Sequence, residues 1–142
     1  MKIGVPKEIK PQEQRIGLRP DSVKTLTSEG HQVLIENDGG FEAGFENNQY
    51  TKAGAKVANS AADIFNDAEI IVKVKEPQKV EVDMIRENQI VYTYLHLAAA
   101  KELTEGLIKS KSINNLIFSN HINVNFLRLF NFNNYFCIIK NI

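Results

Sequence analysis

Residues 68–100, AEIIVKVKEPQKVEVDMIRENQIVYTYLHLAAA, decide the fold. Two runs within them, IIVKV and IVYTYL, are dense in the β-branched and aromatic side chains that fill strands. A weak helical turn at 82–86 stands between the runs, and this alternation of strand and helix is the pattern of a parallel sheet. Ligands of an open parallel sheet bind in the crevice outside the carboxyl ends of its strands. Lys75 closes the first run and His96 follows the second, so a cation and a proton shuttle are expected to share one cleft.

The pattern continues in both directions. Residues 2–5 form a first strand. Residues 20–29 form a helix with Pro20 in its first turn, Val23 and Leu26 on one face, and Gly30 as its stop. A second strand covers 32–36 and a short helix 48–53, closed by Gly54; a brief strand lies at 56–57. A helix over 60–66, with Asn59 as its cap, precedes the strand ending at 74. The strand ending at 95 is followed by a helix over 99–111. The resulting order, β-α-β-α-β-α-β-α with short connections, specifies a doubly wound, mostly parallel α/β sheet of flavodoxin- or Rossmann-like type.

The chain of 142 residues is long enough for one core and too short for two ordinary ones. Seventeen basic and 17 acidic side chains cancel, which argues against a nucleic acid or an anionic membrane as partner and favours a small-molecule ligand. The one cysteine, Cys137, allows neither an intrachain disulfide nor a cysteine-based metal site. The opening MKIGVPKEIK lacks a signal-peptide core, and no run approaches about 18 uninterrupted apolar residues. A cytoplasmic protein is expected. Composition changes abruptly near residue 112: residues 113–142 hold nine Asn, six Ile and five Phe, with no Asp, Glu, Ala or Gly. Two readings of this tail compete, a frameshifted or misplaced segment and a divergent C-terminal strand and helix. The division drawn from composition is therefore between 1–112 and an anomalous tail over 113–142.

Strict alternation puts Lys73 and Lys75 on one side of their strand. Lys75 either holds a carboxylate or carbonyl oxygen as a point charge or merely ends the strand in solvent; Lys73 is read as the lysine that turns outward or snorkels. His96 is either an acid/base group, its ordinary pKa of about 6.5 suiting both roles, or a capping histidine. Arg15, in the loop KPQEQRIG, presents a planar fork suited to a carboxylate and competes with Arg19 and with a purely solvated role. His31 follows a helix stop and His121 belongs to the tail. Gly39, Gly40 and Gly44 fall in a G-G-x-x-x-G pattern that is a poor dinucleotide fingerprint, and no other segment supplies one. Glu8, Glu13 and Glu76 show no spacing that marks a catalytic pair or a metal site and are read as solvated loop charges.

Several separated segments carry a resemblance: MKIGVPKEIKPQEQRIGLRPDSVKTLTSEGHQVLIE, YTKAGAKV, IIVKVKEP and YTYLHLAAAKELT. In order and register over 1–112, they resemble the N-terminal domain of the alanine dehydrogenases; the proton-translocating transhydrogenase alpha subunit has a related domain and is the alternative. The resemblance implies NAD-dependent oxidative deamination of L-alanine to pyruvate and ammonia, in a homohexamer. It implies that Arg15 and Lys75 bind the substrate's carboxylate and carbonyl oxygen, that His96 is the acid/base, and that Tyr94 helps shape the pocket. It makes 1–112 an incomplete substrate domain and implies a cofactor domain and a catalytic aspartate that this sequence does not display, so the 142-residue chain is expected to be inactive or nearly so. A non-catalytic module that binds pyruvate or alanine and a non-functional product are the other readings.

Overall fold

The computed structural model describes residues 1–114. Six strands form one parallel sheet: β1 (Lys2–Val5), β2 (Gln32–Glu36), β3 (Lys56–Ala58), β4 (Ile70–Lys75), β5 (Ile90–Tyr94) and β6 (Ile113–Asn114). Their spatial order is β3-β2-β1-β4-β5-β6, so the chain winds outward from β1 to β3 and then returns to the other side of β1. That reversal leaves a crevice beyond the carboxyl ends of β1 and β4, where the connections depart in opposite directions.

Alternation along the strands divides the core into two layers. Ile3, Val5, Val33 and Ile35 face one side and pack with Val23 and Leu26 of α1 (Pro20–Ser28) and Tyr50 of α2 (Asn47–Lys52). Ile71 and Val91 face the other side, with Ile64 and Phe65 of α3 (Ala61–Asp67) and Leu107 of α5 (Lys101–Ser110). Gly4 lets α3 lie directly on β1, since a Cβ there would sit 2.4 Å from Ile64 Cγ2 and 2.7 Å from Ala68 Cβ.

Most expected elements are present, with shifted ends. Ser60, rather than Asn59, caps α3, its Oγ accepting the Asp63 N–H at 3.2 Å. The helical turn expected at 82–86 begins earlier, as α4 (Lys79–Val82), because Gln78 and Glu81 form a reciprocal capping box ahead of it. The last helix starts at Lys101 after a separate 3-10 turn over Leu97–Ala99. β6 lies beyond the compositional break; two residues are too few to show a period, and the strand forms because the outer edge of β5 is open to it. Ile113 N–H donates to the Gln89 carbonyl at 2.9 Å. The remainder of the tail, with His121 and Cys137, lies outside the described residues.

One irregularity matters for function. β4 and β5 run in register from Ile70↔Ile90 to Val72↔Tyr92, and the next partners are Lys75↔Tyr94. Two residues of β4, Lys73 and Val74, therefore oppose one of β5, Thr93, which is a β-bulge. Laterally paired residues share a face, so Lys75 joins Val72 and Tyr94 on one side while Lys73 stays on the other. The expectation that both lysines share a side is corrected: a period of two cannot count across an inserted residue.

Candidate active site

The site grows from the carboxyl ends of β4 and β5. Lys75 is half-buried there, and its ammonium makes no hydrogen bond or ion pair among the described residues. One residue on, Glu76 bridges two elements: its Oε1 accepts from Lys10 Nζ, and its Oε2 lies 3.1 Å from His96 Nδ1. Burial pushes the Glu76 carboxyl up, but hydrogen bonds from Lys10, its own backbone N–H and His96 outweigh burial and hold it below the ordinary carboxylate value. A carboxylate only accepts, so His96 Nδ1 carries the hydrogen and Nε2 is left to face a ligand.

His96 sits in the left-handed region, at φ 49°, just past the end of β5. The side chain of an L-residue rarely tolerates that conformation, and such strain gathers at functional positions. Its ring is exposed and stacks beside Tyr94, centroids 6.4 Å apart and planes 23° from parallel.

The loop over residues 6–19 closes the other wall. Glu13 grips Arg15 at both ends of its fork, Nε to Oε1 at 2.8 Å and Nη2 to Oε2 at 2.6 Å. This contact holds the Glu13 carboxyl down to about 2 and raises the Arg15 guanidinium further. The charge of Lys75 acts on Glu13 and that of Glu8 acts on Arg15, so the loop lies within electrostatic reach of the strand ends. An incoming carboxylate meets an arginine whose Nε and Nη2 are engaged within its own loop.

Lys73 and the glutamates depart from their expected places. Lys73 does not turn outward: it is 4% exposed, with Nζ 3.1 Å from Glu8 Oε2 and 2.7 Å from Glu81 Oε1. Glu8 is buried, Glu76 is largely covered and Glu13 is half-buried, so the reading of all three as solvated loop charges is corrected. Their signal was available in part. A carboxylate next to Lys75 at one strand end is within side-chain reach of the neighbouring strand end that carries His96. His31 lies at the opposite edge of the sheet, near the Met1 amino group. Gly39, Gly40 and Gly44 serve the turn before α2: a Cβ on Gly40 would meet the Tyr50 ring at 2.7 Å, and Gly44 adopts φ 83°. No group of three or more His, Cys, Asp or Glu among the described residues is placed to hold a metal ion.

A family model described as alanine dehydrogenase/PNT, N-terminal domain matches residues 4–115. The chain belongs to that family. The alanine dehydrogenase of Staphylococcus epidermidis is 43% identical over 113 residues, which make up 80% of this chain and 30% of that protein. A solved L-alanine dehydrogenase superposes with a TM-score of 0.78 at 52% identity, covering 80% of this chain and 31% of its own. The transhydrogenase from Sinorhizobium meliloti gives a TM-score of 0.75 at 28% identity, over 80% of this chain and 34% of the transhydrogenase. The chain thus spans about 30% of the length of the curated relatives it matches.

Membership of an alanine dehydrogenase family implies a nicotinamide cofactor, and the described residues do not build a seat for one. The first glycine after β1 is Gly17, at the far end of the loop, so there is no glycine turn beside the strand. Pro20 at the start of α1 has no N–H to offer a phosphate, and the Ser22 N–H is taken by Asp21 Oδ1 at 2.9 Å. No helix among the described residues is long and apolar enough to cross a membrane.

The depressed Glu13 gives a prediction. Its folded value near 2 lies below the ordinary 4.5, so the unfolded chain binds more protons between those values and stability falls as pH drops through that window. Glu13→Gln is expected to lower the melting temperature at pH 5, with the difference from the parent shrinking to nothing near pH 2. A difference that stays constant over that range would show that the pair contributes nothing through charge.

Proposed function

We propose that this chain is the substrate side of an alanine dehydrogenase. The reaction would be NAD-dependent oxidative deamination of L-alanine to pyruvate and ammonia, in a cytoplasmic homohexamer. The observation that carries this reading is Lys75: a half-buried cation without a hydrogen-bond partner among the described residues, on the same face as Tyr94 and within electrostatic reach of Glu13 in the Arg15 loop. A cation so placed favours an anionic or carbonyl oxygen by direct charge. The higher identity to L-alanine dehydrogenase than to transhydrogenase supports the choice between the two branches of the family.

The division of work follows from the chemistry of each group. Arg15 binds the substrate carboxylate with the donors that Glu13 leaves open. Lys75 holds the oxygen that becomes the pyruvate carbonyl and stabilises negative charge on it. His96, with Nδ1 fixed by Glu76, presents Nε2 as base toward the attacking water and returns the proton when ammonia departs. Tyr94 bounds the pocket beside the imidazole. The cofactor has no seat among the described residues, and the work assigned to this chain is substrate binding and proton transfer.

Calorimetric titration of pyruvate into the purified 142-residue chain tests the reading. Binding is expected, with affinity lowered tenfold or more in Lys75→Ala, as befits loss of a charge-assisted hydrogen bond of about 1.5–3 kcal/mol. The chain supplied with L-alanine and NAD is expected to produce no NADH. Equal pyruvate affinity in the parent and Lys75→Ala would overturn the assignment.

A further inference from the structure

We propose that Glu8 and Thr93 are positioning residues of the cleft: they lock the β4 bulge that turns Lys75 away from the face of Lys73 and toward Tyr94 and the Arg15 loop. The inference rests on the reading of Lys75 as the substrate's oxygen ligand.

A bulge interrupts a ladder and strands backbone groups that must find partners when buried. Here two side chains supply them. The Val74 N–H donates to Glu8 Oε1 at 2.6 Å, and the Lys75 carbonyl accepts from Thr93 Oγ1 at 2.8 Å. Thr93 is the one residue of β5 opposite Lys73 and Val74, and it is 4% exposed. Glu8 lies 66 residues before Val74, just past β1, and is 7% exposed.

The same carboxylate also holds the bulge from its side-chain direction. Glu8 Oε2 pairs with Lys73 at 3.1 Å, and Lys73 reaches Glu81 at 2.7 Å; the other oxygen of Glu81 accepts the Gln78 N–H at 2.7 Å and ties the start of α4 to the group. All three charged side chains are at most 2% exposed. A charge buried to that degree needs partners in fixed places, and each partner here is on the bulge or braces it. From the opposite direction, Gly17 packs so closely that a Cβ would lie 2.7 Å from the Val72 carbonyl oxygen. Without the bulge, strict alternation would return Lys75 to the face of Lys73, where α4 lies and where neither Tyr94 nor Arg15 can share a ligand with it.

Thr93→Val keeps the shape of the side chain and removes the hydroxyl donor, while Thr93→Ser keeps the donor. Pyruvate affinity of the 142-residue chain is measured beside its urea midpoint for both variants, for Glu8→Gln and for Lys75→Ala. The expected result is at least a tenfold loss of affinity in folded Thr93→Val, recovery to within threefold in Thr93→Ser, and a loss in Glu8→Gln. A merely structural role would move the urea midpoint and leave the affinity of the folded fraction unchanged. If Lys75→Ala loses affinity while Thr93→Val keeps it, the positioning role is overturned alone; if Lys75→Ala also keeps it, the underlying reading falls as well. Should Thr93→Val fail to fold, amide hydrogen exchange of the parent decides. The Val74 N–H is expected to be as protected as the amides within the β4 ladder, and exchange at least a hundredfold faster than those would overturn the lock.

Discussion

Lys73→Met is expected to destabilise the chain by about 3–5 kcal/mol at neutral pH, the usual cost of removing one partner from a buried ionic group. Among the described residues Lys73 is the only cation paired with two carboxylates, Glu8 and Glu81, and none of the three side chains is more than 2% exposed. Without it, two negative charges stay in the interior with only backbone N–H groups to satisfy them. Burial already pushes the Glu8 carboxyl above its ordinary 4.5, against the opposing pull of Lys73 and the Val74 N–H. Loss of the lysine removes part of that pull, so Glu8 rises further in the folded state. A carboxyl with a raised folded value binds its proton more tightly when folded, and stability then increases as pH falls toward 4.5. Urea unfolding of Lys73→Met at pH 7 and pH 5 is expected to show the smaller deficit at pH 5. Adding Glu8→Gln and Glu81→Gln removes the uncompensated charge and is expected to restore part of the stability. A loss below 1 kcal/mol for Lys73→Met alone would mean that the triad is solvated in solution.

Gly17→Ala is expected to cost about 1–3 kcal/mol, the range for overpacking, and to weaken pyruvate binding as well. Its added methyl would lie 2.7 Å from the Val72 carbonyl oxygen and 3.0 Å from the carbonyl carbon, both backbone atoms that cannot rotate aside. Either the loop carrying Arg15 must lift or the start of the bulge must give way, and both shift a proposed ligand of the substrate. Gly30→Ala is the control. Its backbone is left-handed, at φ 85°, with nothing within 4 Å of the new Cβ, so it lowers stability through strain alone. Melting curves and pyruvate titrations of the two variants should therefore separate: both lose stability, and only Gly17→Ala loses affinity. Unchanged affinity in Gly17→Ala would show that the loop and the bulge adjust independently of the site.

Much of the edge was legible because it depends on local pattern. IIVKV and IVYTYL alternate and branch as strands do, and their ends place Lys75 and His96 at one rim. The loop after the first strand brings Arg15 to the same rim for the same reason. The carboxylates were legible only in part, through the place of Glu76 directly after Lys75. Glu8, Glu13 and Glu76 look alike in a polar stretch. Their surroundings separate them: Glu8 is taken into the core by Lys73, Glu13 is spent on Arg15, and Glu76 is set between Lys10 and His96. For Glu8 and Glu76 the difference comes from a partner far along the chain, Lys10 being 66 residues from Glu76, whereas the Arg15 that engages Glu13 belongs to its own loop.

The sequence by itself determined the strands, their alternation with helices and hence a parallel sheet with its ligand crevice at the carboxyl edge, since periods of two and 3.6 residues are properties of the chain alone. Only the tertiary structure decided which way Lys75 faces. That direction is set by a bulge, and a bulge exists only in the pairing of one strand with another; here it is held by Glu8 from beyond β1, Thr93 from β5 and Gly17 from the intervening loop.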